Sequence, residues 1–299
     1  MIGELAALGA ALSWAIAPLL YRKALSSTKP VSANIVRSVT NGAVLLAILI
    51  GLGLAGTLAG LPLWVVGVVA LSGLLGLGVG DTLYMFGLKS IGVSRAVPLA
   101  ASYPLFSLIW AVVLLGQPLS LTAFAGAAVI LAGIWLLSSQ KIPQEANVTG
   151  KTVWKGAAVC LAAALVWSVS LTMMDLAVTN SSVNGLEANY AVVTVRIATM
   201  ALIFLVLAPF IDRDRGFLKM KRRAVLLLCV GGLIANGLGW VFMNISFQNL
   251  VEAQAVPISS TSPLFATIAG FLFLHEKAAI KTISGAVAIV AGIVLIFLV

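Results

Sequence analysis

The sequence predicts an all-α membrane protein with ten transmembrane helices, arranged as two inverted five-helix repeats. Three observations support this fold class. Hydrophobic residues make up 61% of the chain and charged residues 9%, with a mean hydropathy of +1.14, whereas soluble domains carry about a quarter charged residues. The apolar residues form ten separate runs. A motif from the first half of the chain recurs in the second half.

Each apolar run is close to the length of about 20 residues that a membrane-spanning helix needs. The runs of the first half are Gly3–Ala24, Val31–Leu54, Leu63–Leu88, Ala96–Leu115 and Leu121–Ser138. Those of the second half are Val153–Val178, Ala188–Phe210, Ala224–Phe247, Ala253–Leu274 and Ile280–Leu298. We therefore predict ten crossings.

A polar segment divides the chain almost in half. It spans residues 139–152 and contains Pro143, Glu145 and Asn147. We predict a first five-helix repeat over residues 3–138, a polar linker over residues 139–152 and a second five-helix repeat over residues 153–298.

The two halves share a motif at one constant offset. The segment AVPLAASYPLF begins at Ala96, and AVPISSTSPLF begins at Ala255. The offset aligns Pro98 with Pro257, Pro104 with Pro263, Gly126 with Gly285, Gly133 with Gly292 and Arg37 with Arg196, and a slightly shorter one pairs Trp14 with Trp167. Because each half has an odd number of crossings, the second half enters the membrane from the opposite side. Inverted repeats of this kind occur mainly in transporters.

The positive charges indicate an orientation. Of the 18 Lys and Arg residues, all except Arg37 and Arg196 fall in or next to loops at one predicted face. The opposite face has only the acids Glu4, Asp175, Glu187 and Glu252. The positive-inside rule predicts that the basic loops are cytoplasmic and that both termini lie outside. We read the net charge of +9 as this orientation signal and predict no binding to nucleic acid.

Two oppositely charged residues lie at similar predicted depths in the membrane. Arg37 is in the second predicted helix and Asp81 in the third, and a charge inside a bilayer needs a partner or a wet cavity. We predict an Arg37–Asp81 ion pair. Either it lines a cavity, where it binds a zwitterion or opens on protonation, or it only holds the helices together.

Arg196, aligned with Arg37, lacks the equivalent acid, because Asp81 aligns with Trp240. Its candidate partners are Asp175, Glu187 or a solute carboxylate, and the alternative is that it extends towards the membrane surface.

Polar and aromatic residues recur on single helix faces. Asn236, Trp240 and Asn244 follow one another every four residues, and Asp81 and Tyr84 share a face of the third helix. These stripes should face the protein interior. Trp14, Trp167 and Tyr103 could form the aromatic walls of a solute site or belong to the packed interior.

The fourth and ninth predicted helices carry the repeated prolines, Pro98 and Pro104 in one and Pro257 and Pro263 in the other. A proline leaves a backbone carbonyl without its helical hydrogen bond, and nearby hydroxyls such as that of Ser260 can satisfy it. We predict that these helices bend and act in gating; the alternative is a static kink.

These features resemble the drug/metabolite transporter superfamily, and its EamA type in particular. The resemblance is carried by ten helices, an internal duplication, a tryptophan late in the first helix of each half, and the AVP segments. His275-Glu276-Lys277 resembles the family's G-E-[RK] turn, whereas Gly116-Gln117-Pro118 departs from it. The resemblance implies a cavity lined by helices 1 to 4 and 6 to 9, with helices 5 and 10 peripheral. It also implies cytoplasmic termini, against the charge distribution, which we follow.

We predict a secondary transporter for a small organic solute such as an amino acid, a metabolite or a drug-like molecule, working by alternating access. Its predicted partners are this solute and the lipid bilayer, with protons as a candidate coupling ion. The predicted substrate-binding residues are Trp14, Arg37, Asp81, Tyr84, Tyr103, Trp167, Arg196, Asn236, Trp240 and Ser260. No nucleotide-binding loop, zinc-protease helix or catalytic triad is present, so we predict no enzyme activity and no cofactor. The alternative is an intramembrane scaffold or assembly subunit without transport.

Overall fold

The computed structural model describes residues 1–92, 96, 99–117, 120–138, 150–179, 183–265, 268 and 280–297. All regular secondary structure in these ranges is helical. The numbered helices of the first half are α1 (Ile2–Leu25), α2 (Pro30–Gly51), α3 (Leu63–Ile91), α4 (Tyr103–Val113) and α5 (Leu121–Ser138). Those of the second half are α6 (Gly150–Val178), α7 (Gly185–Ile211), α8 (Arg222–Phe247), α9 (Glu252–Ser259) and α10 (Ile280–Phe297).

Six helices of the described residues are long and apolar enough to cross a membrane: α1, α2, α3, α6, α7 and α8. Large apolar side chains such as Leu202, Leu205 and Phe210 are exposed on their outer faces. An apolar surface of this extent is typical of proteins in contact with lipid. The structure is therefore that of a multi-pass membrane protein.

Some helix limits differ from the predicted ones. α2 ends at Gly51, before the predicted Leu54, because Gly53 has a φ of 72° and turns the chain into a separate short helix at Ala55–Ala59. α6 begins at Gly150, inside the predicted linker. The rest of that linker, residues 139–149, lies outside the described residues, as do Pro98 and the His275-Glu276-Lys277 turn.

The two proline-containing runs, Ala96–Leu115 and Ala253–Leu274, are each interrupted by a turn where we predicted a bend. A turn at residues 101–102 precedes α4, and a turn at residues 260–261 follows α9. Pro104 and Pro263 lack the N–H that would bond the carbonyl four residues upstream, so the helix breaks there. Both then lie in the first turn of the next helical segment, where a backbone N–H is not needed. Pro257 lies inside α9.

Hydroxyl groups surround the second of these breaks. Ser260 Oγ donates a hydrogen bond to the carbonyl of Pro257 at 2.7 Å, and Ser259 Oγ and Thr261 Oγ1 bond carbonyls three residues upstream. Ser102 does the same at the first break, where its Oγ donates to Leu99 O at 2.7 Å. The polar residues between the prolines therefore satisfy backbone carbonyls at the helix ends.

α3 and α8 each contain a wider π-helical segment, which the sequence analysis did not predict. The segments are Leu74–Gly80 in α3 and Leu233–Leu238 in α8. They occupy aligned positions of the two halves, since the offset that matches Arg37 with Arg196 also matches Leu74 with Leu233. π-helical turns inside α-helices are frequent at functional sites.

Close glycine contacts join the two halves. A Cβ at Gly126 of α5 would lie 2.7 Å from the Gly292 carbonyl oxygen, and one at Gly133 would lie 2.7 Å from the Gly285 carbonyl oxygen. The residue numbers of the contacts increase along α5 and decrease along α10, so these two helices run antiparallel. α2 and α7 meet at Gly42, where an added Cβ would lie 2.6 Å from the Cβ of Ala201.

Candidate functional site

A cavity of about 160 Å³ lies between the two halves of the chain. Its lining comes from α1–α4, α6–α8 and residues 100–101 and 260–262, which lie at the two helix breaks, and no described residue of α5 or α10 belongs to it. This distribution matches the one that the family resemblance implies. The lining includes all ten residues predicted to bind substrate: Trp14, Arg37, Asp81, Tyr84, Tyr103, Trp167, Arg196, Asn236, Trp240 and Ser260.

Arg37 and Asp81 form the ion pair that their predicted depths indicate. Arg37 Nη2 lies 2.6 Å from Asp81 Oδ2, and the side chains are 2% and 13% exposed. Arg37 Nη2 also donates to Asn34 Oδ1 at 2.5 Å, and Trp167 Nε1 donates to Asp81 Oδ1 at 2.8 Å. Both oxygens of the carboxylate therefore have donors, and the pair joins α2, α3 and α6.

Arg196 has a different environment from its aligned residue Arg37. Its guanidinium stacks on the ring of Trp240, 3.4 Å from the ring centroid, and its Nη2 donates to Ser170 Oγ at 2.6 Å. Neither Asp175 nor Glu187, the two candidate protein partners, forms an ion pair with it among the described contacts. Trp240 occupies the position aligned with Asp81, so Arg196 makes a cation–π contact where Arg37 makes an ion pair.

The two tryptophans of the aligned first helices make equivalent contacts. Trp14 Nε1 donates to Ala235 O at 3.0 Å, and Trp167 Nε1 also reaches Gly76 O at 3.2 Å. Ala235 and Gly76 occupy the third position of the two π-helical segments. Each tryptophan thus connects the first helix of one half to the third helix of the other.

Aromatic rings form two walls of the cavity. Trp14 and Trp240 contact edge to face with centroids 5.7 Å apart. Trp167 contacts Tyr84 at 4.9 Å and Tyr103 at 6.3 Å between centroids. Such rings offer a large apolar surface with fixed orientation, which suits the body of an organic solute.

The polar stripe of α8 faces inward, as expected. Asn236 and Trp240 line the cavity, while Asn244 is fully buried and its amide atoms have no hydrogen-bond partner in the described structure. Asp81 and Tyr84 of α3 line the opposite side. No group of three or more His, Cys, Asp or Glu side chains that could hold a metal ion occurs in the described ranges.

A family model for the EamA-like transporter family matches residues 1–139 and 154–298. The chain belongs to this family. It is 25% identical over 304 residues to an uncharacterized transporter of Archaeoglobus fulgidus, with 100% of this chain and 99% of the relative covered. A solved crystal structure of another protein is similar with a TM-score of 0.70 and 20% identity, over 99% of this chain and 96% of that one. Membership of the EamA-like family identifies the protein as a membrane transporter.

This EamA-like transporter also has a buried polar cluster that the sequence analysis did not predict. Asp175 and Glu252, which we placed at the acidic face, are 1% and 0% exposed. Gln117 connects them: its Nε2 donates to Asp175 Oδ2 at 2.7 Å, and the Glu252 backbone N–H donates to its Oε1 at 2.9 Å. Thr172 Oγ1 donates to Glu252 Oε1 at 2.7 Å. The sequence signal was that Asp175 lies inside the predicted run Val153–Val178 and Glu252 directly before the run Ala253–Leu274.

Three basic segments of the EamA-like chain meet at one end of the bundle. Lys29 forms an ion pair with Asp214, and Lys89 Nζ donates to Thr28 O at 3.0 Å. The hydrogen bond between Lys29 and Asp214 raises the pKa of the lysine and lowers the pKa of the carboxyl group. Three of the five loops that the charge distribution assigned to a single face therefore lie together.

Proposed function

We propose that this protein is a secondary transporter that carries a small organic solute by alternating access. The solute binds in the cavity between two inverted five-helix halves, residues 3–138 and 153–298, and the proline-containing segments with Pro98, Pro104, Pro257 and Pro263 change the side to which the cavity opens. The basic loops face the cytoplasm and both termini lie outside.

The observation that supports this proposal most directly is the exchange symmetry of the contacts. Gly126 of the first half contacts Gly292 of the second. Their aligned residues are Gly285 and Gly133, and these two are also in contact. The bond from Trp14 to Ala235 likewise corresponds to the bond from Trp167 to Gly76, with the shorter offset for the two tryptophans. Paired contacts of this kind are what a two-fold relation between two halves produces.

The axis of this relation passes between α2 and α7, because Gly42 contacts Ala201, its own aligned residue. The antiparallel packing of α5 against α10 fits an axis in the membrane plane, which inverts one half relative to the other. Two similar inverted halves can exchange conformations, and the exchange converts a cavity open to one side into one open to the other.

The breaks at residues 101–102 and 260–261 supply the moving part. They fall at aligned positions, and each contains a cavity-lining residue, Ala101 and Ser260 respectively. A helix whose hydrogen-bond ladder is already interrupted can change its angle without breaking further backbone bonds. Hinges of this type absorb the φ and ψ changes of larger movements.

The test is solute counterflow in liposomes that contain only the purified protein. Vesicles are preloaded with one unlabelled solute from a panel of amino acids, organic acids, amines and neutral metabolites, and uptake of the labelled solute is followed. We expect saturable exchange of at least one of them. Ala101→Trp, which fills the cavity, should abolish this exchange.

The matched control is Leu105→Trp, which adds the same side chain to the next helical segment at a position 45% exposed on the outer surface. It should retain exchange. A correctly inserted protein that exchanges no solute of a broad panel would contradict the proposal and favour the scaffold alternative.

A further inference from the structure

The cavity lining carries one uncompensated positive charge. Its described charged residues are Arg37, Asp81 and Arg196. Arg37 and Asp81 neutralise each other at 2.6 Å, whereas Arg196 has no carboxylate within ion-pair distance in the described part of the chain. The sum over these three side chains is one positive charge.

Arg196 cannot obtain compensation from water outside the protein, since it is 1% exposed. Nη2 has a single neutral partner, the Ser170 hydroxyl, and Nε and Nη1 have no hydrogen-bond partner among the described residues. The Trp240 ring covers one face of the guanidinium and attracts it only through its quadrupole. A buried charge without a paired counter-charge is unfavourable, so an anion next to Arg196 would be stabilised.

We propose that the solute is a small organic monoanion, a monocarboxylate with a compact apolar body, whose carboxylate binds beside Arg196. This inference rests on the proposed transport function and names the solute class of the same cavity. Arginine suits the task because its planar donors match a carboxylate. Asn236 lines the cavity near Arg196's partner Trp240, on the same face of α8, and adds neutral hydrogen-bonding groups.

The remainder of the lining fits the apolar body. Trp14, Tyr84, Tyr103 and Trp167 present ring surfaces. A volume of about 160 Å³ is close to the roughly 150 Å³ of an engineered protein cavity that accepts benzene. The body therefore has about the size of one six-membered ring.

The charge arrangement disfavours other solute classes. An ammonium group would add to the positive charge already present. Asp81, the only described acid of the lining, accepts from Arg37 with one oxygen and from Trp167 with the other. A zwitterion therefore lacks a dedicated partner for its ammonium group.

The test uses four ring compounds of similar size and different charge: benzoate, benzamide, benzylamine and phenylalanine. Binding to the purified full-length protein at pH 7.5 is measured from the concentration dependence of its thermal unfolding midpoint, since a ligand stabilises the state that binds it. We expect benzoate to bind at least about tenfold more tightly than benzamide, which corresponds to about 1.4 kcal/mol. Benzylamine and phenylalanine should bind more weakly than benzoate.

The variants assign this preference to one side chain. Arg196→Gln should reduce benzoate affinity at least about tenfold and leave benzamide affinity nearly unchanged. Arg196→Lys should keep the preference for the anion. The matched control is Arg222→Gln, which removes the same charge at an exposed position at the start of α8 and should change nothing. The wild-type ligand series tests the inference even if Arg196→Gln does not fold.

Equal binding of benzoate and benzamide, or tighter binding of phenylalanine, would overturn the inference. Counterflow separates this failure from failure of the proposed function. There the unaided flux of neutral benzoic acid is measured in protein-free liposomes and subtracted. Exchange of a neutral or zwitterionic solute without protein-dependent exchange of benzoate would refute the monoanion and keep the transporter. Exchange of no solute would refute transport itself.

Discussion

Replacing Asp81 by Asn should strongly destabilise the protein, because Arg37 would lose its counter-charge. Arg37 is 2% exposed and lies 2.6 Å from the carboxylate. Breaking a buried pair by removing one partner costs about 3–5 kcal/mol. Arg37→Gln should cost a similar amount, since the carboxylate would then keep only its hydrogen bond from Trp167.

The double variant Arg37→Gln with Asp81→Asn should be damaged less than the sum of the single variants. Neither charge then remains uncompensated, and the two amides can still bond Asn34 and Trp167. We expect a coupling free energy of at least about 2 kcal/mol, within the range for residues in direct contact. The swapped variant, Arg37→Asp with Asp81→Arg, should recover only part of the lost stability, because the Trp167 N–H would then face a guanidinium.

The assay is reversible unfolding in mixed micelles with an increasing fraction of sodium dodecyl sulfate, followed by circular dichroism. The control is the exposed pair Lys29 and Asp214, whose side chains are 61% and 70% exposed. Lys29→Gln and Asp214→Asn should leave the unfolding transition unchanged, singly and together, because solvent screens such pairs. Additive effects at Arg37 and Asp81, within about 0.5 kcal/mol, would refute a stabilising contact between them.

Three further predictions concern packing, orientation and gating. Gly133→Ala should destabilise the protein by about 1–3 kcal/mol, because its Cβ would lie 2.7 Å from a carbonyl oxygen of α10. The control Gly67→Ala has open space around the added Cβ and should not destabilise the protein in the same unfolding assay. Equal effects of the two variants would contradict the packing argument. In a version without the native cysteines, Gly56→Cys should react with an impermeant thiol reagent on intact cells and Lys219→Cys should not; the reverse result would put the termini inside. Pro257→Ala should preserve solute binding and slow counterflow, because α9 would lose its interrupted backbone bonding; turnover equal to wild type would leave this proline as a packing feature.

The residues of the cavity could be predicted because their sequence positions carry two kinds of information. The place of a residue along a helix gives its depth, at about 1.5 Å per residue, and a spacing of three or four residues gives a shared face. Depth was sufficient to predict the contact between Arg37 and Asp81. The face was sufficient to predict that Asn236 and Trp240 point inward.

The same reasoning failed where a partner lies on a distant segment. Asp175 and Glu252 occur near helix ends, so the sequence placed them at the membrane surface. Both are buried and both are bonded by Gln117, which follows Gly116 with a φ of 61° and connects α6 with α9. For Arg196 the sequence left open Asp175, Glu187, a solute carboxylate or the membrane surface, whereas its described contacts are with Trp240 and Ser170.

The sequence by itself determined that this is a helical membrane protein, since so many apolar residues can be accommodated only in lipid. Its repeated motif and aligned glycines also indicated which segments of the two halves correspond. Only the tertiary structure decided where the chain turns in the proline-containing segments, where the π-helical segments widen and which side chains contact one another in the cavity. The reason is that the chain encodes depth and face for each helix separately. The neighbour that a face meets depends on how all the helices pack together.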